Sequence, residues 1–203
     1  VALSAISHVS LGSLLAILWK PPKHRIFKGT MRSLIMAPWA ITPVVVAVIW
    51  RLLYKPHLSI IPSLLKSLGL DVQWMLLGEP TWALPAVALA NIWFSLPFYM
   101  LMILAAMQAI PGELYEAANI DGANVLQRFR FVTISHLRNI LITLLMFDFV
   151  GAFVFFDLIW VMTKGGPVNR TEVMATYAYR MAFERFDFGY AGAIAVLMFL
   201  IMM

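Results

Sequence analysis

Three polar side chains recur at four-residue spacing within a long apolar stretch, at Asn91, Ser95 and Tyr99. This spacing places them on one face of a helix, among Leu, Met and Ala side chains. Sugars need such a mixture, because their hydroxyls require hydrogen-bond partners and their C–H faces pack on rings such as Tyr99, Trp93 or Phe94. Asn and Ser also bridge neighbouring helices in membranes. The pattern therefore predicts either a face that contacts a solute or a set of interhelical hydrogen bonds.

Two carboxylates, Asp148 and Asp157, fall within a later apolar stretch, where an acidic group is unfavourable unless it is paired or hydrated. Nine positions along a helix put them on opposite faces. Asp157 lies near the end of the stretch, and we expect it to reach the membrane interface or to cap local structure. Asp148 lies in the middle, and it could contact a sugar hydroxyl, pair with a basic group on a partner chain, or be protonated.

The sequence lacks the residues that several other kinds of site require. It contains no cysteine, which excludes disulfides, iron–sulfur centres and thiolate chemistry. No GxxxxGKS or GxxxxGKT phosphate loop occurs, so we expect neither ATP binding nor a catalytic residue in this chain, and no other cofactor. The sequence shows no stripe of basic and aromatic residues, so we expect no binding of nucleic acid. No metal site is expected, because the four histidines are scattered, at His8, His24, His57 and His136.

The elements that must position these side chains are membrane helices. Of 203 residues 62% are hydrophobic and only 12% are charged, and the mean hydropathy is +0.86. Most of the apolar blocks fall in the range of about 17 to 25 residues that a bilayer core requires of a helix. We predict an all-α integral membrane protein, a polytopic helical bundle forming a single domain over residues 1–203. The predicted spans are 1–19, 31–53, 82–107, 139–162 and 188–203.

The two ends of the chain lack polar flanks, so we expect that it is trimmed at both ends. A signal peptide is the alternative for the first block. That block has no basic region before it and no small-residue cleavage site before the next loop. We therefore interpret it as a membrane span.

Charge predicts the orientation of the spans. The loop at 20–32 contains five Lys or Arg residues and no acidic residue, which places it in the cytoplasm by the positive-inside rule. If successive spans cross the membrane in alternate directions, residues 108–138 lie in the cytoplasm, and residues 54–81 and 163–187 lie on the outer side of the membrane. Total Lys and Arg counts are similar on the two sides, so the density in the first loop carries this prediction.

Prolines interrupt two of the blocks, at Pro38 and Pro43 and at Pro85 and Pro97. Each removes a backbone donor and tends to kink a helix. Kinked membrane helices line cavities and also occur in ordinary packed bundles, so both readings stay open. In the last block Gly189 and Ala193 are four apart, which suits close helix packing.

The segment 110–139 is too long and too regular for an ordinary loop. Pro111 suits a first helical turn, and Glu113 and Glu116 place negative charge near a helix N-terminus. Asp121 and Gly122 break this helix, with Asp121 predicted as the N-cap of a second one. The second helix has apolar residues at helical spacing, at Val125, Leu126, Phe129 and Val132.

The sequence EAANIDGA at 116–123 resembles the EAA signature of ABC importer permeases, in which EAA, two residues and DGA precede a hydrophobic stretch. In that family this loop is a coupling helix, which sits in a cleft of the ATP-binding subunit and transmits its closure to the membrane bundle. The resemblance implies a MetI-like bundle with six spans in the intact subunit, and it agrees with a cytoplasmic 108–138 segment. The chain departs from the pattern where Ser135, His136 and Leu137 replace the usual residue and Leu-Pro pair.

The resemblance assigns coupling to the ATPase to six residues of the motif. The alanines allow close approach of another backbone, Glu116 can pair with a basic residue or backbone donor of the ATPase, and Gly122 sets the turn. The six residues are Glu116, Ala117, Ala118, Asp121, Gly122 and Ala123.

Two further stretches, DLIWVMTKGGP at 157–167 and FGYAGA from Phe188, resemble sugar permeases of the maltose, trehalose and glycerol-phosphate type. The implied cargo is a di- or oligosaccharide or a glycerol-phosphate-like solute, carried across a bacterial or archaeal inner membrane. The implied partners are two ATP-binding subunits, a second homologous permease subunit and an extracytoplasmic binding protein that docks at 163–187, besides membrane lipid.

Three other readings compete with a sugar importer. An ABC importer for peptides, amino acids or phosphate is the nearest. An ion-coupled secondary transporter would also show kinked helices and a buried Asp148, but it would not need a coupling loop. A membrane scaffold without cargo would leave the ATPase activity of a partner unchanged when a loaded binding protein is added.

Overall fold

The structure, a computed structural model, describes residues 2–18, 25–55, 67 and 76–203, and its regular elements there are all helical. The predicted all-α class is therefore confirmed. In chain order the elements are α1 (Ala2–Leu18), α2 (Arg25–Ala40), α3 (Pro43–Leu53), α4 (Ala83–Gln108), α5 (Gly112–Ile120), α6 (Val125–Arg128), a π-helical segment (Phe129–Thr133), α7 (Ile134–Val154), α8 (Asp157–Met162), α9 (Met174–Phe183) and α10 (Phe188–Met202).

Two helices in the described ranges are long and apolar enough to cross a membrane. They are α4, with 26 residues, and the continuous run Val125–Val154, with 30 residues. The second predicted block is split, because α2 ends at Ala40 and α3 begins at Pro43, and it makes a third span if both pieces are counted together. Shorter apolar helices, Ala5–Ile17 and Phe188–Met202, lie where the first and last spans were predicted.

The prolines differ in their effect on the helices that contain them. Pro43 is the first residue of α3, after an extended Thr42, because a first helical turn does not need the missing N–H. Pro38 and Pro97 lie inside α2 and α4, which continue through them. Only the Pro38–Pro43 region therefore coincides with a break in a predicted span.

The fourth predicted block, 139–162, has different bounds in the structure. Its helix starts at Val125 and passes through the π-helical segment into α7, because no proline follows Ser135 to end it. It stops at Val154, and α8 begins only at Asp157. The two residues between, Phe155 and Phe156, are not helical, so the apolar block is interrupted where the sequence carries neither Gly nor Pro.

The chain divides into two compact units, each made from two stretches of sequence. The first unit comprises Val1–Trp39 and Ser95–Phe149, and the second comprises Ala40–Phe94 and Val150–Met203. The core of the first unit brings together α1, the C-terminal part of α4, and α7. Its buried residues are Ala16, Tyr99, Met100, Ile103, Leu137 and Leu144.

The second unit contains two buried clusters. One joins α3, the N-terminal part of α4 and α8, where the Tyr54 hydroxyl donates to the Ala86 carbonyl at 3.0 Å. The other joins α9 to α10 through Met181, Ala182, Ala191, Ile194 and Met198. The expected close packing at Gly189 and Ala193 is not found among the described residues, because both are exposed while α10 packs on α9 through Ala191, Ile194 and Met198.

Gly12 allows α1 to approach α4 in the first unit. A Cβ at this position would lie 2.8 Å from the Tyr99 Cβ and 3.3 Å from the Met100 backbone nitrogen. Ala favours a helix over Gly by about 1 kcal/mol, but an overpacked contact of this kind costs about 1 to 3 kcal/mol. We therefore expect Gly12→Ala to lower the thermal unfolding midpoint in detergent. Gly151→Ala is the control, because nothing lies within 4 Å of its Cβ position, and equal midpoints for the two variants would contradict the prediction.

Candidate coupling and translocation residues

The EAA motif forms the end of α5 and the turn after it. Gly122 has a φ of +75°, a left-handed conformation that glycine adopts readily. The Gly122 N–H donates to the Asn119 carbonyl at 3.1 Å, and the Ala123 N–H donates to the Ala118 carbonyl at 2.9 Å. This pair of bonds is a Schellman motif, in which the left-handed residue satisfies the last carbonyls of the helix. The predicted break after Ile120 is confirmed.

The second helix begins later than predicted. Asn124, not Asp121, is its N-cap, because the left-handed Gly122 and the bond of Ala123 complete the end of α5 first. The Asn124 side chain accepts from the Gln127 N–H at 2.9 Å, and the Gln127 side chain accepts from the Asn124 N–H at 2.8 Å. Asp121 is instead the C-cap of α5. The signal that could have located this start is the N-x-x-Q capping box.

The motif is accessible in this chain. Helix α5 has no buried residue, and the Glu116, Ala117, Asp121 and Gly122 positions are exposed, while Ala118 and Ala123 are half-buried. Three apolar side chains beside the turn are also largely exposed, Ile120 at 87% and both Val125 and Leu126 at 74%. Clustered exposed apolar residues mark a surface that contacts either another protein or the membrane. Ile120 was not among the predicted residues.

Two of the predicted translocation residues, Tyr99 and Asp148, lie in direct contact in the first unit. The Tyr99 hydroxyl donates to Asp148 Oδ1 at 2.5 Å, which joins α4 to α7. His8 of α1 donates from Nδ1 to the same oxygen at 2.7 Å, and its ring stacks on Tyr99 with centroids 5.2 Å apart. We call these three residues the polar cluster.

The polar cluster is deeply buried. His8 is 1% exposed and Tyr99 3% exposed, and the Asp148 side chain is 10% exposed. Two more of its atoms, His8 Nε2 and Asp148 Oδ2, are buried without a hydrogen-bond partner in the described part of the chain. Of the three possibilities left open for Asp148, one was a basic partner on another chain, whereas the structure places His8 of the same chain against its carboxylate. No periodic pattern links positions 8, 99 and 148.

The other two predicted translocation residues, Asn91 and Ser95, are half-buried on α4, and both side chains take part in interactions. Their contact with a solute stays a prediction. Asp157 is exposed in the first turn of α8, where the helix dipole favours a negative charge.

The predicted turn at 165–167 is part of a tightly bonded loop between α8 and α9. Gly165 has a φ of +84°, and the Thr171 hydroxyl, in a side chain only 1% exposed, donates to the Gly166 carbonyl at 2.7 Å. Arg180 of α9 contacts three points of the loop. Its donors lie 2.8 Å from the Lys164 carbonyl, 3.2 Å from Asn169 Oδ1 and 2.7 Å from Glu172 Oε1.

Arg180→Leu should loosen this loop. The substitution removes all three contacts, and a hydrogen bond to a charged group contributes about 2 kcal/mol. We expect faster proteolysis of the loop in the purified protein, and weaker stimulation of transport by a binding protein if that protein docks there. The control is Arg170→Leu, which removes the same charge from an exposed position in the same loop. Equal cleavage rates for the two variants would count against the role of Arg180.

Two apolar span-length helices connected through a helical hairpin (residues 112–133) that carries an exposed EAA motif are the features of a multi-pass membrane protein. The family model for the inner membrane component of binding-protein-dependent transport systems matches residues 9–203. The chain belongs to this family, which confirms the predicted recognition.

Named relatives agree with this assignment. The chain is 39% identical over 194 residues to a probable ABC transporter permease protein of Sinorhizobium fredii, covering 94% of this chain and 62% of the relative. It is 36% identical over 177 residues to the trehalose/maltose transport system permease protein MalF of Thermococcus litoralis, covering 87% and 59%. It is 34% identical over 174 residues to the sulfoquinovosyl glycerol transport system permease protein SmoG of Agrobacterium fabrum, covering 85% and 56%. The chain thus spans about 60% of the length of these relatives.

A solved structure shares the fold. A bacterial ABC transporter involved in the import of the acidic polysaccharide alginate contains a chain that superposes with a TM-score of 0.86 at 24% sequence identity. The match covers 98% of this chain and 70% of that one. This likeness confirms the MetI-like permease fold.

Proposed function

We propose that this chain is a permease subunit of an ATP-driven importer and forms the translocation path for a carbohydrate in a bacterial or archaeal inner membrane. The observation that carries the proposal is the helical hairpin (residues 112–133), which presents the EAA motif on an unburied helix beside a span-length helix. The choice of carbohydrate is supported by relatives named for trehalose and maltose and for sulfoquinovosyl glycerol, and by the structural likeness to the alginate importer.

The hairpin would dock on one of two ATP-binding subunits, which carry out ATP hydrolysis. Glu116 would pair with a basic group or backbone donor of that subunit, and the small Ala117, Ala118 and Ala123 would admit close backbone contact. The exposed Ile120 would add apolar contact area next to the motif. A second homologous permease subunit would complete the path, because the five or six spans expected of one such subunit do not enclose a path alone.

The solute path would use Asn91, Ser95, Tyr99 and Asp148. The structure holds Tyr99 and Asp148 in the polar cluster, so contact with a sugar hydroxyl would require this cluster to open. Opening would also expose Asp148 Oδ2 and His8 Nε2, which are buried and unpaired among the described residues. Interrupted spans often mark transport sites, and the non-helical Phe155–Phe156 pair follows Asp148 on the same apolar block.

An extracytoplasmic binding protein would deliver the solute at 163–187. The bonded loop offers a fixed surface for this docking, with Val168 82% exposed at its tip. A complex of the alginate importer with a periplasmic protein that carries an alginate pentasaccharide supports such an arrangement.

The test is reconstitution of the intact transporter in liposomes with its binding protein and a panel of sugars. We expect at least one loaded form of the binding protein to stimulate ATP hydrolysis and ATP-dependent uptake, and a protonophore to leave uptake intact. Stimulation by an amino acid, peptide or phosphate instead would reassign the cargo. Uptake that a protonophore abolishes would point to an ion-coupled transporter, and no stimulation by any loaded binding protein would favour a scaffold.

A further inference from the structure

Helix α5 is held in place by polar contacts and not by a core. None of its residues is buried. Its Tyr115 hydroxyl lies 2.9 Å from Thr133 Oγ1, at the end of the π-helical segment, and Thr133 is only 4% exposed. A second contact joins Arg128 of α6 to the Asn119 side chain of α5. Within the described part of the chain, two side-chain hydrogen bonds therefore orient this helix against the rest of the hairpin.

The two contacts connect α5 to different places. Arg128 and Asn119 lie on the two arms near the turn, so their contact closes the hairpin locally. Tyr115 reaches past that turn to Thr133, the residue directly before α7 begins. The run Val125–Val154 is continuous, so Thr133 is at the base of the helix that carries Asp148. Fifteen residues of helix separate these two positions, which is about 22 Å at 1.5 Å per residue.

The π-helical segment adds a reason to regard Thr133 as functional. Such segments are rare, occur mostly as single turns within α-helices and are frequent at functional sites. This one lies between the capping box of α6 and the start of α7. Its last residue, Thr133, carries the buried hydroxyl that is hydrogen-bonded to the Tyr115 hydroxyl.

We propose that Tyr115 and Thr133 are positioning residues whose hydrogen bond makes α5 and the base of α7 move as one body. A displacement of the EAA motif by an ATPase would then reach Asp148 and the polar cluster through α7. Without the bond, α5 could tilt against α7 while remaining docked, and ATP hydrolysis would be less tightly linked to solute movement. This inference rests on the proposed function.

The experiment compares Tyr115→Phe, Thr133→Val and the double variant in the reconstituted transporter, with its binding protein and its solute. The readout is the amount of solute transported per ATP hydrolysed, measured at matched amounts of assembled complex. We expect each single substitution to lower this ratio about fivefold. A change of this size corresponds to the free energy that one neutral hydrogen bond contributes. The double variant should be no worse than either single one, because both remove the same bond.

Two controls separate this role from a general structural one. Thr133→Ser keeps the hydroxyl and should retain the normal ratio. Thr143→Val on α7 removes a hydroxyl that donates to the Asn139 carbonyl of its own helix at 2.9 Å, and it should leave the ratio unchanged. A normal ratio in Tyr115→Phe and Thr133→Val, or losses that multiply in the double variant, would overturn the proposal while the proposed function stands. A wild-type transporter that shows no ATP-driven uptake would overturn both.

Discussion

Replacing His8 by Ala should destabilise the subunit, because the buried Asp148 carboxylate would lose the hydrogen bond from His8. A hydrogen bond to a charged group contributes about 1.5 to 3 kcal/mol. The Tyr99 hydroxyl would remain as a donor to Oδ1, but Oδ2 already lacks a partner in the described residues. We expect His8→Ala to lower the thermal unfolding midpoint in detergent and the yield of monodisperse protein.

Two comparisons isolate the effect of the carboxylate. The double variant His8→Ala with Asp148→Asn should recover part of the lost stability, because the unpaired charge is gone while a polar partner for Tyr99 remains. The control is His136→Ala, since His136 is exposed and its Nδ1 contacts the Val132 carbonyl of the preceding turn, at 2.8 Å. If His8→Ala were as stable as His136→Ala, the inferred pairing of His8 with Asp148 would be wrong.

A second large effect is expected at the turn of the hairpin. In Gly122→Leu a side chain is forced into a φ of +75°, which costs about 1 to 2 kcal/mol for an L-residue. Space is not the obstacle, because nothing lies within 4 Å of its Cβ position. We expect the backbone to relax, the Schellman bonds to weaken and the motif to present a different shape to the ATPase. Solute uptake should fall roughly tenfold, the equivalent of about 1.4 kcal/mol, in a protein that still reaches the membrane.

Gly112→Leu is the matched control for this prediction. Gly112 lies in the same hairpin, also has nothing within 4 Å of its Cβ position, and has no positive φ. Gly122→Asn is the second comparison, because Asn tolerates the left-handed region better than Leu and should retain more coupling. The measurement is ATP hydrolysis and uptake in parallel at matched expression. Normal uptake in Gly122→Leu would contradict the role assigned to this glycine.

Local features of the protein followed from the sequence, because their causes lie within a few residues. The all-α membrane class follows from the apolar blocks, and the break after Ile120 follows from Asp121 and Gly122. The start of the next helix was missed at Asn124 because two plausible N-caps stand three residues apart. The Schellman motif at the end of α5 uses the N–H groups of Gly122 and Ala123, so the next helix begins only after these two residues.

Tertiary structure decided which distant residues meet. His8 lies in a different span from Tyr99 and Asp148, and no spacing in the sequence indicates that one carboxylate oxygen accepts from both. The same holds for Tyr115 and Thr133, which are 18 positions apart on different helical segments. Helical periodicity specifies which face of a helix a side chain occupies, but the partner on that face depends on how separate helices pack. The sequence by itself therefore determined the membrane class and the motif, and packing determined the polar cluster and the attachment of the hairpin to α7.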